Sequence, residues 1–249
     1  MGGNHASAVT PVAVMERTHG TVMPGDIEPA IDRVTSDDGF WPFLWSRRGE
    51  TMVLVGEHLW LTAIAVALAM LVAVPLGIAL TRNESLATPV LGAVGVIQTI
   101  PSLALLAFMI PFPGLGLGAR SAIAALFLYA LLPIVRNTYT GIREVDGDLI
   151  EAGRGMGLTD RQILLKVELP LATRTIMAGL RTATVISIGI ATLAAFIGAG
   201  GLGDPIVTGL QLNDSFLILS GAIPAAILAL VVDFGLGRLE RVLIPRGLG

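Results

Sequence analysis

Between Leu59 and Leu80 the chain carries no charged side chain. At about 1.5 Å per helical residue, such a run spans the ~30 Å hydrocarbon core of a bilayer. Comparable apolar runs recur at about Thr88–Ile110, Ser121–Val135, Ile176–Ile197 and Phe216–Phe234. Lipid offers the backbone no hydrogen bonds, so runs of this length must close their own bonds as helices. The expectation is an all-α membrane protein of about five transmembrane helices. Composition agrees: 53% of residues are hydrophobic and 14% charged, with a mean hydropathy of +0.78. A soluble domain carries roughly a quarter charged residues.

Polar residues inside the runs need partners. Gln98 and Thr99 precede Pro101 near the middle of the second run, and Ser187 and Thr192 lie in the fourth. Such groups either pack against a neighbouring helix or line a wet path. These four are the candidate path-lining residues. Arg181 is expected to snorkel to the membrane surface, and Asp233 to pair with the arginines that follow it. His5, His19 and His58 precede the first long run, which leaves no histidine for chemistry within the spans, and the chain has no cysteine. No catalytic residue and no metal site is expected.

Glu151–Pro170, EAGRGMGLTDRQILLKVELP, is a polar island between the third and fourth runs. Arg154, Arg161 and Lys166 stand among Glu151, Asp160 and Glu168, so the segment cannot lie in hydrocarbon. Leu158-Thr159-Asp160 reads as a helix N-cap, and Ile163, Leu164 and Val167 recur at helical spacing. The pattern predicts a short helix, a turn at Gly157, and a second short helix closed by Pro170. Gly198–Gly203 formally fits G-x-G-x-x-G, but it follows a membrane helix instead of a strand, and a flexible hairpin is expected there. There is no G-x-x-x-x-G-K-[ST], so the chain holds no P-loop of its own.

Residues 1–50 differ in kind. Pro11, Pro24 and Pro29 interrupt a stretch without periodicity, which predicts a largely irregular extension. No apolar stretch follows a basic start, so no secretory signal is expected, and Ala6 spoils a myristoylation motif. Phe40–Trp45 followed by Arg47-Arg48 reads as an aromatic and basic segment at the lipid headgroups. Residues 51–249 would form the transmembrane domain. Five spans gather Arg82, Arg136, Arg143, Arg154, Arg161, Lys166, Arg174, Arg238, Arg241 and Arg246 on one side. The positive-inside rule then puts the island and the C-terminus in the cytoplasm and the N-terminus outside a cell (inner) membrane.

The island resembles the signature loop of ABC importer permeases: Glu-Ala-Ala, three residues, Gly, nine residues, then Ile-x-Leu-Pro. Glu151, Ala152 and Gly157 fall on its first positions and its glycine, and Leu169-Pro170 on its close; Gly153 and Val167 depart from it. Gln98–Ser102, Gly114–Gly118, Leu132–Thr138 and Ile197–Gly203 resemble the osmoprotectant branch, which imports glycine betaine, choline and carnitine. The resemblance implies the type I importer permease fold, with a coupling loop at about 144–170 whose Glu151, Ala152, Gly153, Gly157, Leu158, Leu169 and Pro170 serve a separate ATPase. It further implies ATP and Mg on that ATPase and no cofactor on this chain. The implied partners are ATPase subunits, a second permease subunit, identical or sibling, a substrate-binding protein and membrane lipid, but no nucleic acid. A permease for an amino acid such as methionine is the alternative within the family. A secondary transporter would call for inverted repeats and intramembrane acids.

Overall fold

The structure is a computed structural model that describes residues 39–243. Expectations for the earlier part of the N-terminal extension lie outside the described residues. Every regular element among the described residues is helical. Helix α1, Phe40–Ser46, sets Phe40 and Phe43 against Phe216. Helix α2, Arg48–Arg82, is the first span, and it takes in the lead-in residues as one 35-residue rod. Helix α5, Ala119–Arg143, is the most buried span and packs between α2 and the long helix α7, Asp160–Ile197. Helix α8, Gly203–Leu212, and helix α9, Ser215–Leu243, pack on each other and on α7.

The close packing of α2, α5 and α7 rests on missing side chains. A Cβ at Gly77 would lie 2.7 Å from Thr138 Cβ, and one at Gly141 2.8 Å from Thr175 Cβ. A Cβ at Gly179 would lie 2.6 Å from Asn137 Cβ and 2.7 Å from the Pro133 carbonyl oxygen. In lipid, where apolar burial between helices gives little driving force, such close backbone approach is what holds helices together. Ala69, Ala73, Ile134, Val135 and Ala183 fill one apolar cluster, and Leu61, Ala65, Leu106, Leu126 and Ala191 a second.

Three expectations are corrected. The second run is not one straight span: α3, Glu84–Thr99, and α4, Ser102–Met109, meet at a 98° bend. Ile100 is extended (φ −72°, ψ 129°) before Pro101, the conformation a following proline favours. Among the described residues four helices are thus long and apolar enough to cross a membrane, or five with the bent pair taken as one span. The second correction concerns the helix after Gly157, which is not short. It continues through Pro170 as α7, because a π-helical turn at Leu164–Glu168 widens the backbone just before the proline. There the Leu169 amide reaches back five residues to the Leu164 carbonyl. A π-turn absorbs a residue that cannot hydrogen-bond in normal register. Third, the segment after Gly198 is a tight turn with positive φ at Gly198, Gly200 and Gly201, and α8 follows it directly.

Candidate functional site

The loop between α5 and α7 is built by two local motifs. Helix α6, Gly147–Gly155, starts at Asp146, whose carboxylate accepts the Asp148 amide at 3.0 Å. It ends in a Schellman turn: Leu158 N–H donates to the Gly153 carbonyl at 3.1 Å and Gly157 N–H to the Arg154 carbonyl at 2.9 Å. Gly157 holds φ +80°, a conformation that favours glycine. Thr159 then caps α7 with a capping box: its amide donates to Gln162 Oε1 at 2.9 Å, and its hydroxyl accepts the Gln162 amide. Both signals, the glycine turn and the N-cap, were legible in the residues.

Inside this hairpin Gly153 is buried, facing Leu158 and Ile163. Glu151, Ala152, Arg161 and Lys166 are exposed, and so are Leu149 and Met156. Met156 is 76% exposed, high for a thioether on a polar loop. Arg154 pairs with Asp160 at 3.7 Å, but Glu168 does not pair with the loop's cations. Its carboxylate is buried within the π-turn and receives both nitrogens of the Arg82 fork from the end of α2. Leu169 and Pro170 are half-buried within the α7 rod. Arg143 pairs with Glu84 at the same end of the bundle.

The candidate path residues are not brought together: among the described residues no hydrogen bond joins any two of them. Gln98 Nε2 donates to the Tyr129 carbonyl at 3.0 Å, an acceptor that Pro133 leaves free by lacking an N–H. The Tyr129 hydroxyl in turn donates to the Ile100 carbonyl at the α3–α4 break. Thr99 is exposed and bonds back to the Val96 carbonyl. Thr192, half-buried, bonds back to the Gly189 carbonyl. Ser187 is fully buried, and among the described residues its hydroxyl has no partner.

Two side chains stand where the residues alone did not place them. His58 lies within α2, not ahead of the first span, and is wholly buried. Its Nε2 lies 3.0 Å from the Ile188 carbonyl and its Nδ1 accepts the Leu202 amide at 3.3 Å, which fixes the Nε2–H tautomer. Beside it, Glu57 accepts the Gly201 amide at 3.0 Å. Asp233 faces Arg181 across α7 and α9, not the arginines that follow it; Arg238 lies 4.6 Å over the Phe234 ring instead. Neither link has a sequence signal, because each joins residues far apart in the chain.

Comparison with known proteins places this architecture. The chain is 52% identical over 206 residues to a glycine betaine/carnitine/choline transport system permease protein of Bacillus subtilis, covering 83% of this chain and 94% of the relative. It is 53% identical over 211 residues to a carnitine transport permease protein of Listeria monocytogenes, covering 85% and 96%. Among solved structures, the inward-facing methionine ABC transporter MetNI matches with a TM-score of 0.70 at 27% identity, covering 77% of this chain and 94% of that one. Residues 66–247 match the family described as the binding-protein-dependent transport system inner membrane component, and the chain belongs to that family.

Proposed function

We propose that this chain is the permease subunit of an ATP-driven ABC importer for a quaternary ammonium osmoprotectant such as glycine betaine, choline or carnitine. Relatives at about half identity carry those solutes in their names, whereas the methionine transporter is 27% identical, which favours the quaternary amines over an amino acid. The observation that carries the reading is the loop itself. Its two helices are locked by a Schellman turn and a capping box, yet they leave Leu149, Met156, Glu151 and Lys166 uncovered. A rigid surface of mixed apolar and charged groups fits a protein partner, and a separate ATPase subunit that binds ATP and Mg is that partner. This chain holds no cofactor.

The mechanism follows from continuity. Helix α7 runs from Asp160, next to its Thr159 cap at the docking surface, to Ile197, so displacement at the loop moves a 38-residue rod. Glu168 and Arg82 join that rod to the end of α2. ATP-driven approach of two ATPase subunits would tilt α7 against α2 and α5, in this chain and in a second permease subunit, and open the path to a loaded binding protein outside. Such coupling is a difference in contact energy between two states. The loop lies in the cytoplasm and the N-terminus outside, on the charge distribution given above.

Uptake and ATPase stimulation test this. Glu151→Lys and Gly157→Trp should each abolish both while membrane abundance stays normal; normal transport in both variants would remove the coupling role. Purification from membranes should bring an ATPase subunit along, and ion-driven transport by this chain alone would overturn the class. For orientation, a cysteine at Ser85 should react only from the cytoplasm and one at Ala119 only from outside.

A further inference from the structure

Between α7 and α9 the surface opens into a cleft of about 460 Å³ lined by Ala178, Arg181, Thr182, Val185, Ile186 and Asp233. On its wall Arg181 forks onto Asp233, with Nε to Oδ1 and Nη2 to Oδ2 both at 2.9 Å, and Nη1 reaches Glu240 Oε2 at 3.3 Å. The pair is not sealed: the side chains of Arg181 and Asp233 are 34% and 38% exposed. Arg181 lies about 24 Å along α7 from Ile197 and about 18 Å from Leu169, at 1.5 Å per residue. Counted from Ile176, where the fourth apolar run begins, it is about 7.5 Å in. Asp233 is one residue from the end of the fifth run at Phe234, so the pair lies at the coupling-loop end of the spans.

The cleft does not resemble a lipid-facing surface. Where α2 and α9 are open they show Leu71, Val72, Leu230 and Val231. Between Ala178 and Gly189 the open positions of α7 are Ala178, Thr182, Val185 and Gly189, a strip of mostly small or hydroxylic groups leading to Arg181. Arg181 and Asp233, each about a third exposed, with the more covered Glu240 (14% exposed) beside them, are stable against water or a polar ligand and costly against hydrocarbon. Opposite charges side by side in a cleft also match a zwitterion. A carboxylate can replace Asp233 on the flat Arg181 fork, and a quaternary ammonium can then lie against Asp233 and Glu240.

We infer that the Arg181–Asp233 pair is a solute station on the inner half of the path, where Arg181 receives the carboxylate of a zwitterionic quaternary amine and Asp233 its cationic head. This rests on the function proposed above. The station gives Arg181 a part in specificity: choline has the cationic head but no carboxylate, so it engages Asp233 alone, whereas glycine betaine engages both.

The test is competitive uptake of glycine betaine and choline by the complete transporter, with membrane abundance measured in parallel. Arg181→Gln should lower glycine betaine uptake relative to choline by about tenfold, the value of one charged hydrogen-bonded contact. Arg181→Lys, which keeps the charge and loses the fork, should shift the ratio in the same direction by less, and it carries the test if the Gln variant fails to reach the membrane. Asp233→Asn should lower both solutes. If the ratio stays constant while both uptakes fall, and Arg181→Asp combined with Asp233→Arg restores wild-type uptake of both, the pair is only a structural tie and the station is overturned. A wild-type transporter that moves neither solute would instead sink the proposed function, and this inference with it.

Discussion

Gln98 and Tyr129 each close a gap that a proline opens in the other's helix. Pro133 leaves the Tyr129 carbonyl without an amide, and Gln98 Nε2 fills it at 3.0 Å; the Tyr129 hydroxyl reaches the Ile100 carbonyl where Pro101 breaks the chain. Each bond depends on the geometry the other maintains. Gln98→Leu and Tyr129→Phe should each lower stability by about 1–2 kcal/mol, as for interhelical hydrogen bonds in a bilayer. A double-mutant cycle on thermal stability in detergent should show the pair costing less than the sum of the singles. Strict additivity would mean that the two bonds are independent.

This pair also shows where sequence reading stopped. A glutamine beside a proline in an apolar run announces that a partner must exist, but not which one. Pro75 and Pro133 sit inside continuous helices while Pro101 ends one. At Pro101 the Tyr129 hydroxyl, from another helix, donates to the carbonyl of the extended Ile100. A continuous span over Thr88–Ile110 was therefore the natural expectation, and the 98° bend is a tertiary effect.

The loop makes two opposite predictions for neighbouring glycines. At Gly153 a Cβ would meet Leu158 and Ile163 at 3.5 and 3.6 Å, ordinary contact within a helix. Gly153→Ala should therefore stabilise the loop by about 0.5–1 kcal/mol. At Gly157 there is room for a Cβ, but φ is +80°, so Gly157→Ala should cost about 1–2 kcal/mol. Hydrogen exchange of the Leu158 and Gly157 amides would report both, with slower opening in the first variant and faster opening in the second.

Arg82 and Glu168 differ in burial, and that sets the outcome of removing either. Glu168 is 3% exposed and Arg82 48%. Arg82→Ala strands a buried carboxylate and should cost about 3 kcal/mol, the low end for a broken buried pair because water reaches the Arg82 side. Glu168→Gln keeps a hydrogen-bonding acceptor beside an arginine that can turn to water, and should cost less. Equal losses in thermal stability would mean that the pair contributes as a surface contact only. The island's charge pattern pointed to its own cations as partners of Glu168; the continuous α7 rod instead turns the residue back toward α2, which no spacing rule could show.

Helix contact gives a matched pair of glycines on α7. Gly179 has Asn137 and the Pro133 backbone within 3 Å of a would-be Cβ, and Gly189 has nothing within 4 Å. Gly179→Ala should lose about 1–3 kcal/mol by overpacking, whereas Gly189→Ala should gain a few tenths to about 1 kcal/mol from helix propensity. Thermal stability of the two variants in the same detergent decides this, and destabilisation by both would mean that Gly189 faces a tight neighbour. The apolar periodicity marked α7 as a span. Which of its glycines touched another helix depended on the crossing with α5.

Asp204 supplies the pH dependence. It stands at the first turn of α8, beyond the spans, where burial and then the nearby Glu57 charge raise its carboxyl above the usual range. A raised value means that the folded chain holds this proton more tightly than the unfolded chain. Stability from this group is thus fully present below the unfolded pKa and falls as pH rises through the folded one. Above that window the ionised carboxylate remains a standing cost. Asp204→Asn should flatten this part of the stability–pH curve and exceed wild type on its alkaline side. Glu57→Gln should narrow the window by removing the neighbouring charge, although it also weakens the bond to the Gly201 amide. Heating the detergent-solubilised protein at a series of pH values and following the soluble monodisperse fraction would measure all three curves. A wild-type curve that rises with pH across this window, with the same slope in Asp204→Asn, would show that Asp204 is ionised freely in the folded protein.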